Sequence, residues 1–93
     1  MSRKILFENL LGSKARAKIL KVLAQNEELT ISLIINKTKL NYSNVVKHLE
    51  YLKDFGFIQE KKFGRIKIFR YNIENKIAKS LKEFIQILEK GED

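Results

Sequence analysis

Five cations, Lys61, Lys62, Arg65, Lys67 and Arg70, stand within one short stretch that contains no acid. Side chains of this kind bind oxyanions through charge and hydrogen bonds, and the commonest polymeric oxyanion in a cell is nucleic acid. A solvated hairpin whose lysines guard a sheet edge is the plainer alternative, and Arg70 is also placed to pair with an acid inside the domain. Upstream, Asn41 to Phe55 reads NYSNVVKHLEYLKDF. Val45, Leu49 and Leu52 fall on one helical face, while Ser43, Asn44, Lys47, Glu50 and Tyr51 project elsewhere. One side of this helix packs, and the other is free to meet a partner.

Bond-breaking chemistry has little to work with. There is no cysteine and only one histidine, so thiolate nucleophiles and Cys-ligated zinc are excluded and a His-rich metal site is not expected. No glycine-rich phosphate loop and no carboxylate pair set in an evident pocket is present, so the chain is not read as an enzyme, and no cofactor or metal is expected. No apolar run approaches the roughly 18 residues that cross a bilayer, and the N-terminus lacks a signal-peptide pattern. The expectation is a cytoplasmic protein without a membrane partner.

Ninety-three residues allow one modest core, and a second copy often helps stability at this size. The net charge of +8 is unevenly distributed: Met1 to Asn72 holds 15 Lys/Arg against 6 Asp/Glu, and Ile73 to Asp93 holds 4 against 5. The attraction for polyanions therefore belongs to the first part of the chain, although a basic surface that only keeps the protein soluble is an alternative.

The elements that would hold these residues can be placed from caps and periodicity. Residues 1–12 form an arm or short helix with Ile5, Leu6, Phe7, Leu10 and Leu11, ended by Gly12 and Ser13. Ser13 caps a helix from Lys14 to about Gln25, with Ala15, Ile19, Leu20, Val22 and Leu23 inward. Leu29 to Ile31 form a very short strand, and Ser32 caps a helix over Leu33 to Thr38 that is buried on more than one side. Lys39 and Leu40 make a turn into the helix capped by Asn41, which stops at Gly56. Phe57 to Tyr71 is a β-hairpin with its tip at Gly64. Glu74 to about Lys90 is an amphipathic helix of nearly balanced charge, with Ile77, Leu81, Phe84, Ile85 and Leu88 as its stripe. That stripe suits a symmetric partner helix, with packing on its own domain as the alternative.

In this order the elements resemble the winged helix-turn-helix regulators, particularly small archaeal ones related to the ArsR and MarR groups. The resemblance covers Ser13 to Tyr71 and is carried by GSKARAKILKVL (Gly12–Leu23), LNYSNVVKHLEYLKDFGFI (Leu40–Ile58) and KKFGRIKIFRY (Lys61–Tyr71). The lysine and isoleucine richness also looks archaeal. The fold class implied is mainly α with a small β-hairpin wing (α+β), with residues 13–72 as the DNA-binding domain and 73–93 as an additional, dimerising helix.

The resemblance further implies a homodimeric, sequence-specific transcription regulator on double-stranded DNA. Its recognition helix, 41–55, would enter the major groove, and its basic wing, 61–70, would lie on the flanking backbone or minor groove. Carried over residue by residue, Tyr42, Ser43, Asn44 and Lys47 become the base contacts. Asn44 has the donor and acceptor pair that matches adenine, and Lys47 can reach guanine acceptors or a phosphate. Tyr42 is equally readable as a core-edge aromatic, and Val46 as core. Lys61, Lys62, Arg65 and Lys67 become wing contacts, with Lys14 and Arg16 as further phosphate ligands. His48 is read as a packed residue hydrogen-bonded to backbone rather than a switch or metal ligand. Self-association would use Ile77, Leu81, Phe84, Ile85 and Leu88, with the N-terminal arm as a further contact. Two alternatives stay open: a weakly specific architectural DNA-binding protein, and a winged-helix module that binds protein.

Overall fold

The computed structural model describes residues 7–91; the expectations for Ile5 and Leu6 lie outside that range, as does the side chain of Phe7. Helix α1 (Phe7–Leu11) leads into α2 (Lys14–Asn26), followed by β1 (Glu28–Thr30), α3 (Ile31–Thr38), α4 (Tyr42–Asp54), the strands β2 (Ile58–Phe63) and β3 (Ile66–Tyr71), and α5 (Lys76–Lys90).

Each long helix starts where a short polar side chain can accept an unpaired first-turn N–H. Ser13 Oγ accepts from Arg16 N at 3.1 Å, Asn41 Oδ1 from Asn44 N at 2.8 Å, and Asn75 Oδ1 from Ile77 N and Ala78 N. The cap of α3 differs from expectation: Thr30, not Ser32, accepts from Leu33 N at 3.3 Å. Thr30 is held extended by pairing with Ile68, and extended backbone is what a capping residue needs, so the helix begins at Ile31 and the strand ends one residue earlier than expected. Helix α3 also buries one side rather than several. Ile34 is fully buried, whereas Leu33 is exposed and Ile35 half-buried, because α2 and α4 cover only one flank of so short a helix.

The three strands form one antiparallel sheet in the order β1-β3-β2. Leu29 opposes Phe69 and Ile58 opposes Tyr71, which sets Leu29, Ile58, Phe69 and Tyr71 on the core face. They join Ile19, Leu20 and Leu23 of α2, Ile34 of α3, Val45, Leu49 and Leu52 of α4, and Phe57 in a single core. Beyond Tyr71 the chain turns into α5, which shares that core through Ala78; the Tyr71 hydroxyl donates to the Ala78 carbonyl at 2.5 Å. Burial pushes the Tyr71 phenol up to about 12. Among the described residues no helix is long and apolar enough to cross a membrane.

Candidate nucleic-acid interface

The turn between α3 and α4 sets the direction in which α4 leaves the core. Lys39 adopts φ 62°, a left-handed conformation, and returns its N–H to the Ile35 carbonyl at 2.8 Å. Buried Thr38 donates its hydroxyl to Ile34 O at 2.7 Å and accepts from Leu40 N at 3.4 Å, so the reversal is held from within. Helix α4 then buries Val45, His48, Leu49 and Leu52 and leaves Tyr42, Ser43, Asn44 and Lys47 in solvent.

The ambiguity over Tyr42 is resolved, since it is 63% exposed and belongs to the open first turn rather than to the edge of the core. Val46 is half-buried. Ser43 Oγ donates to Asn41 Oδ1 at 3.3 Å, whereas the side-chain amide of Asn44 makes no hydrogen bond among the described residues. Both its donor and its acceptor are open to a partner.

His48 is 7% exposed, in line with packing, but the expected hydrogen bond is missing at one nitrogen: Nδ1 is buried without a partner. Burial first, then the charges of Arg16 and Lys47, hold the imidazole below its ordinary range. The group is therefore neutral at pH 7 and adds no positive charge to the surface. Among the described residues no cluster of His, Cys, Asp or Glu has the make-up of a metal site.

The hairpin turns at Gly64, whose φ is 61°, followed by Arg65 at negative φ, the order of signs found in a type II′ turn. Strand register sorts the basic residues by face. Lys62 opposes Lys67 on the face shared with Ile58 and the core, while Lys61 opposes Ile68 on the other face. Lys61 Nζ lies 3.4 Å from Glu28, which also receives Arg70 Nε at 3.9 Å, so Arg70 takes the internal pairing that the sequence left open. Lys67 lies 3.8 Å from Glu60. Lys62 and Arg65 have no ion pair among the described residues.

Glu60 is a positioning residue that the sequence pattern did not single out. Its carboxylate accepts from Lys53 at 2.9 Å, which ties the C-terminal end of α4 to the root of the hairpin. The hydrogen bond from Lys53 holds the carboxyl below its usual range, and the same bond raises the Lys53 ammonium. A lone acid in an otherwise basic strand was the available signal.

Arg16 also lies differently from expectation. Its guanidinium stacks 3.6 Å over the Tyr51 ring of α4 and donates to the Asn9 carbonyl of α1, while Nε is buried and unpaired. This cation is engaged within the protein, whereas Lys14 is exposed. Lys37 and Lys39, at the end of α3 and in the turn before α4, are exposed cations not singled out from the sequence.

On α5 the apolar stripe divides. Leu81 and Ile85 pack against the core, and Ile77, Phe84 and Leu88 remain exposed, joined by Ile87 at 67%. Between this helix and α1 and α2 runs a groove of about 200 Å³, lined by Leu11, Ala17, Leu20, Lys21, Leu81, Phe84, Ile85 and Leu88.

Comparison with known proteins places these features. The family model described as "Bacterial regulatory protein, arsR family" matches residues 13–60. Over 50 residues the chain is 44% identical to the uncharacterized HTH-type transcriptional regulator B-115 of Sulfolobus spindle-shape virus 1; the match covers 54% of this chain and 44% of that relative, so the chain spans less than half of the curated protein's length. Among solved structures it is similar to HlyU from Vibrio cholerae N16961, with a TM-score of 0.74, 22% identity, and 85% and 83% of the two chains covered. It is similar too to the homodimeric winged helix-turn-helix DNA-binding domain Mb0332 from Mycobacterium bovis, with a TM-score of 0.69, 23% identity, and 87% and 72% covered. Both likenesses bear on the fold, which is a winged helix-turn-helix with an added C-terminal helix.

Proposed function

The chain belongs to the arsR family of bacterial regulatory proteins, and on that premise we propose that it regulates transcription by binding specific sequences in double-stranded DNA as a homodimer. The observation that carries this reading is the open first turn of α4. Tyr42, Ser43 and Asn44 stand exposed at the N-terminal end of a helix whose opposite side is locked into the core.

Asn44 offers the bidentate amide that matches adenine, Lys47 one turn on reaches guanine acceptors or a phosphate, and Tyr42 and Ser43 contact base edges or backbone. Lys62 and Arg65, which have no ion pair among the described residues, hold the flanking phosphates or the minor groove, with Lys67 and Lys61 beside them and Lys14 as a further backbone contact. Arg16, turned toward Tyr51, serves instead to hold α2 against α4.

Dimerisation through α5 is supported by the exposed Ile77, Phe84, Ile87 and Leu88 and by the groove that Phe84 and Leu88 line, and the similar domain Mb0332 is homodimeric. Leu81 and Ile85 then act as the support on which that surface rests. Two recognition helices spaced by about one DNA turn, ~34 Å, would read adjacent major grooves.

Selection of bound sequences from random duplex DNA tests the whole reading. A two-fold symmetric motif with half-sites about ten base pairs apart is expected. Uniform enrichment would leave only weakly specific binding, and absent or salt-insensitive binding would sink the proposal.

A further inference from the structure

Two side chains at the tip of the wing are left unused by its ionic chemistry. Phe63 and Ile66 flank the Gly64–Arg65 turn and oppose each other directly across the strands, so they leave the same face of the hairpin. They are 61% and 55% exposed. Single apolar residues at a surface need no explanation, but a cross-strand aromatic–aliphatic pair at the end of a protruding ribbon is a patch. A hairpin that needed only protection from edge pairing would carry further charge here.

The surroundings of the pair specify what covers it. Residues 61–67 contain Lys61, Lys62, Arg65 and Lys67 and no acid. Lys61 leaves the same face as the pair, where it also lies 3.4 Å from Glu28, Lys62 and Lys67 leave the opposite face, and Arg65 stands in the turn itself. An apolar tip edged by cations is complementary to a surface with two rails of negative charge and an apolar floor between them. The minor groove of duplex DNA is such a surface, with phosphates along both edges and deoxyribose and base edges below. Arg65, in the turn between Phe63 and Ile66, is the residue type drawn into a narrow A·T-rich groove.

We propose that Phe63 and Ile66 form an apolar wedge that enters the minor groove beside the recognition site, partly unstacks one base step and bends the duplex there. The inference rests on the duplex-binding reading above and adds a mechanism of specificity to it. A wedge favours steps that unstack easily, TA and CA, so it selects sequence at a position where the protein makes no hydrogen bond to a base.

The test uses the full chain and a duplex carrying the selected site, labelled with a dye at each end and with 2-aminopurine in the flanking step. Binding is expected to shorten the end-to-end distance and to raise 2-aminopurine fluorescence. Phe63→Ala with Ile66→Ala should abolish both changes and weaken binding roughly tenfold or more, as for loss of a buried apolar side chain. Because no charge is removed, the dependence of affinity on salt should be unchanged, whereas Arg65→Ala should lower that slope by about one. Phe63→Leu should retain most of the bend. Since both side chains are exposed in the free protein, the thermal midpoint of the double variant should match the parent and serves as the folding control.

Wild-type protein that binds the duplex without bending or unstacking it would overturn the wedge and leave the duplex-binding reading intact. So would a double variant that bends DNA as the parent does. Failure of the wild type to bind duplex DNA would remove both.

Discussion

Asn75 donates its Nδ2 to the Gly56 carbonyl at 3.2 Å while its Oδ1 caps the first turn of α5. One side chain thus joins the residue that follows α4 to the start of α5. Asn72 adds a second donor to the same carbonyl at 2.8 Å, and its own N–H reaches the Phe57 carbonyl at 3.0 Å. Rotation of α5 about its first turn would be felt at the base of α4.

Asn75→Ala should cost about 1 to 2 kcal/mol, the sum of a lost helix cap and one of two hydrogen bonds to a carbonyl. Urea unfolding should show a lower midpoint with an unchanged slope. Gly56→Ala should be comparably harmful, because Gly56 has φ +78°, a conformation that strains any residue with a Cβ.

Asn44→Ala should flatten base preference at one position of each half-site, with a loss of about 1 to 3 kcal/mol on the preferred sequence and little on others. Lys62→Ala should instead weaken every sequence about equally and reduce the salt slope by about one. Competition binding against single-base variants of the selected site separates the two outcomes, and equal losses on all sequences for Asn44→Ala would remove it from the base-reading set.

Phe84→Glu together with Ile87→Glu should yield a folded monomer, visible as a halved mass in sedimentation at concentrations where the parent is dimeric. Both residues are exposed in the single chain, so their replacement leaves the core untouched. Leu81→Ala, by contrast, should lower stability, because Leu81 packs against the core. A double variant that stays dimeric would move the interface elsewhere.

His48 makes stability depend on pH. The folded imidazole titrates below its ordinary 6.5, so as pH falls through that value the unfolded chain takes up the proton first. Stability should be full above pH 6.5 and drain away below it. His48→Leu should flatten the loss that sets in as pH falls below 6.5, as measured by urea midpoints. An unchanged pH dependence in this variant would show that other groups cause it.

Capping and periodicity operate within a few residues, and for that reason the sequence by itself determined most of the elements. Ser13 and Asn41 cap where their types predict, the Val45, Leu49 and Leu52 face is buried, and Gly56 and Gly64 take the positive φ that a helix stop and a tight turn require. The cap at Thr30 was missed because it depends on pairing with Ile68, far along the chain.

Which charges find a partner within the chain was decided only by tertiary structure. Lys61 and Arg70 look equivalent to Lys62 and Arg65 in sequence, yet strand register turns the first two toward Glu28 and leaves the others unpaired among the described residues. Arg16 follows the same logic, since stacking on Tyr51 exists only once α2 and α4 meet. The stripe of α5 was legible as a stripe, but its division into Leu81 and Ile85 inside and Ile77, Phe84 and Leu88 outside follows from how much of its width α2 can cover. Local patterns report which residues can share a face; partners brought together by long-range packing decide which of them stay open to another molecule.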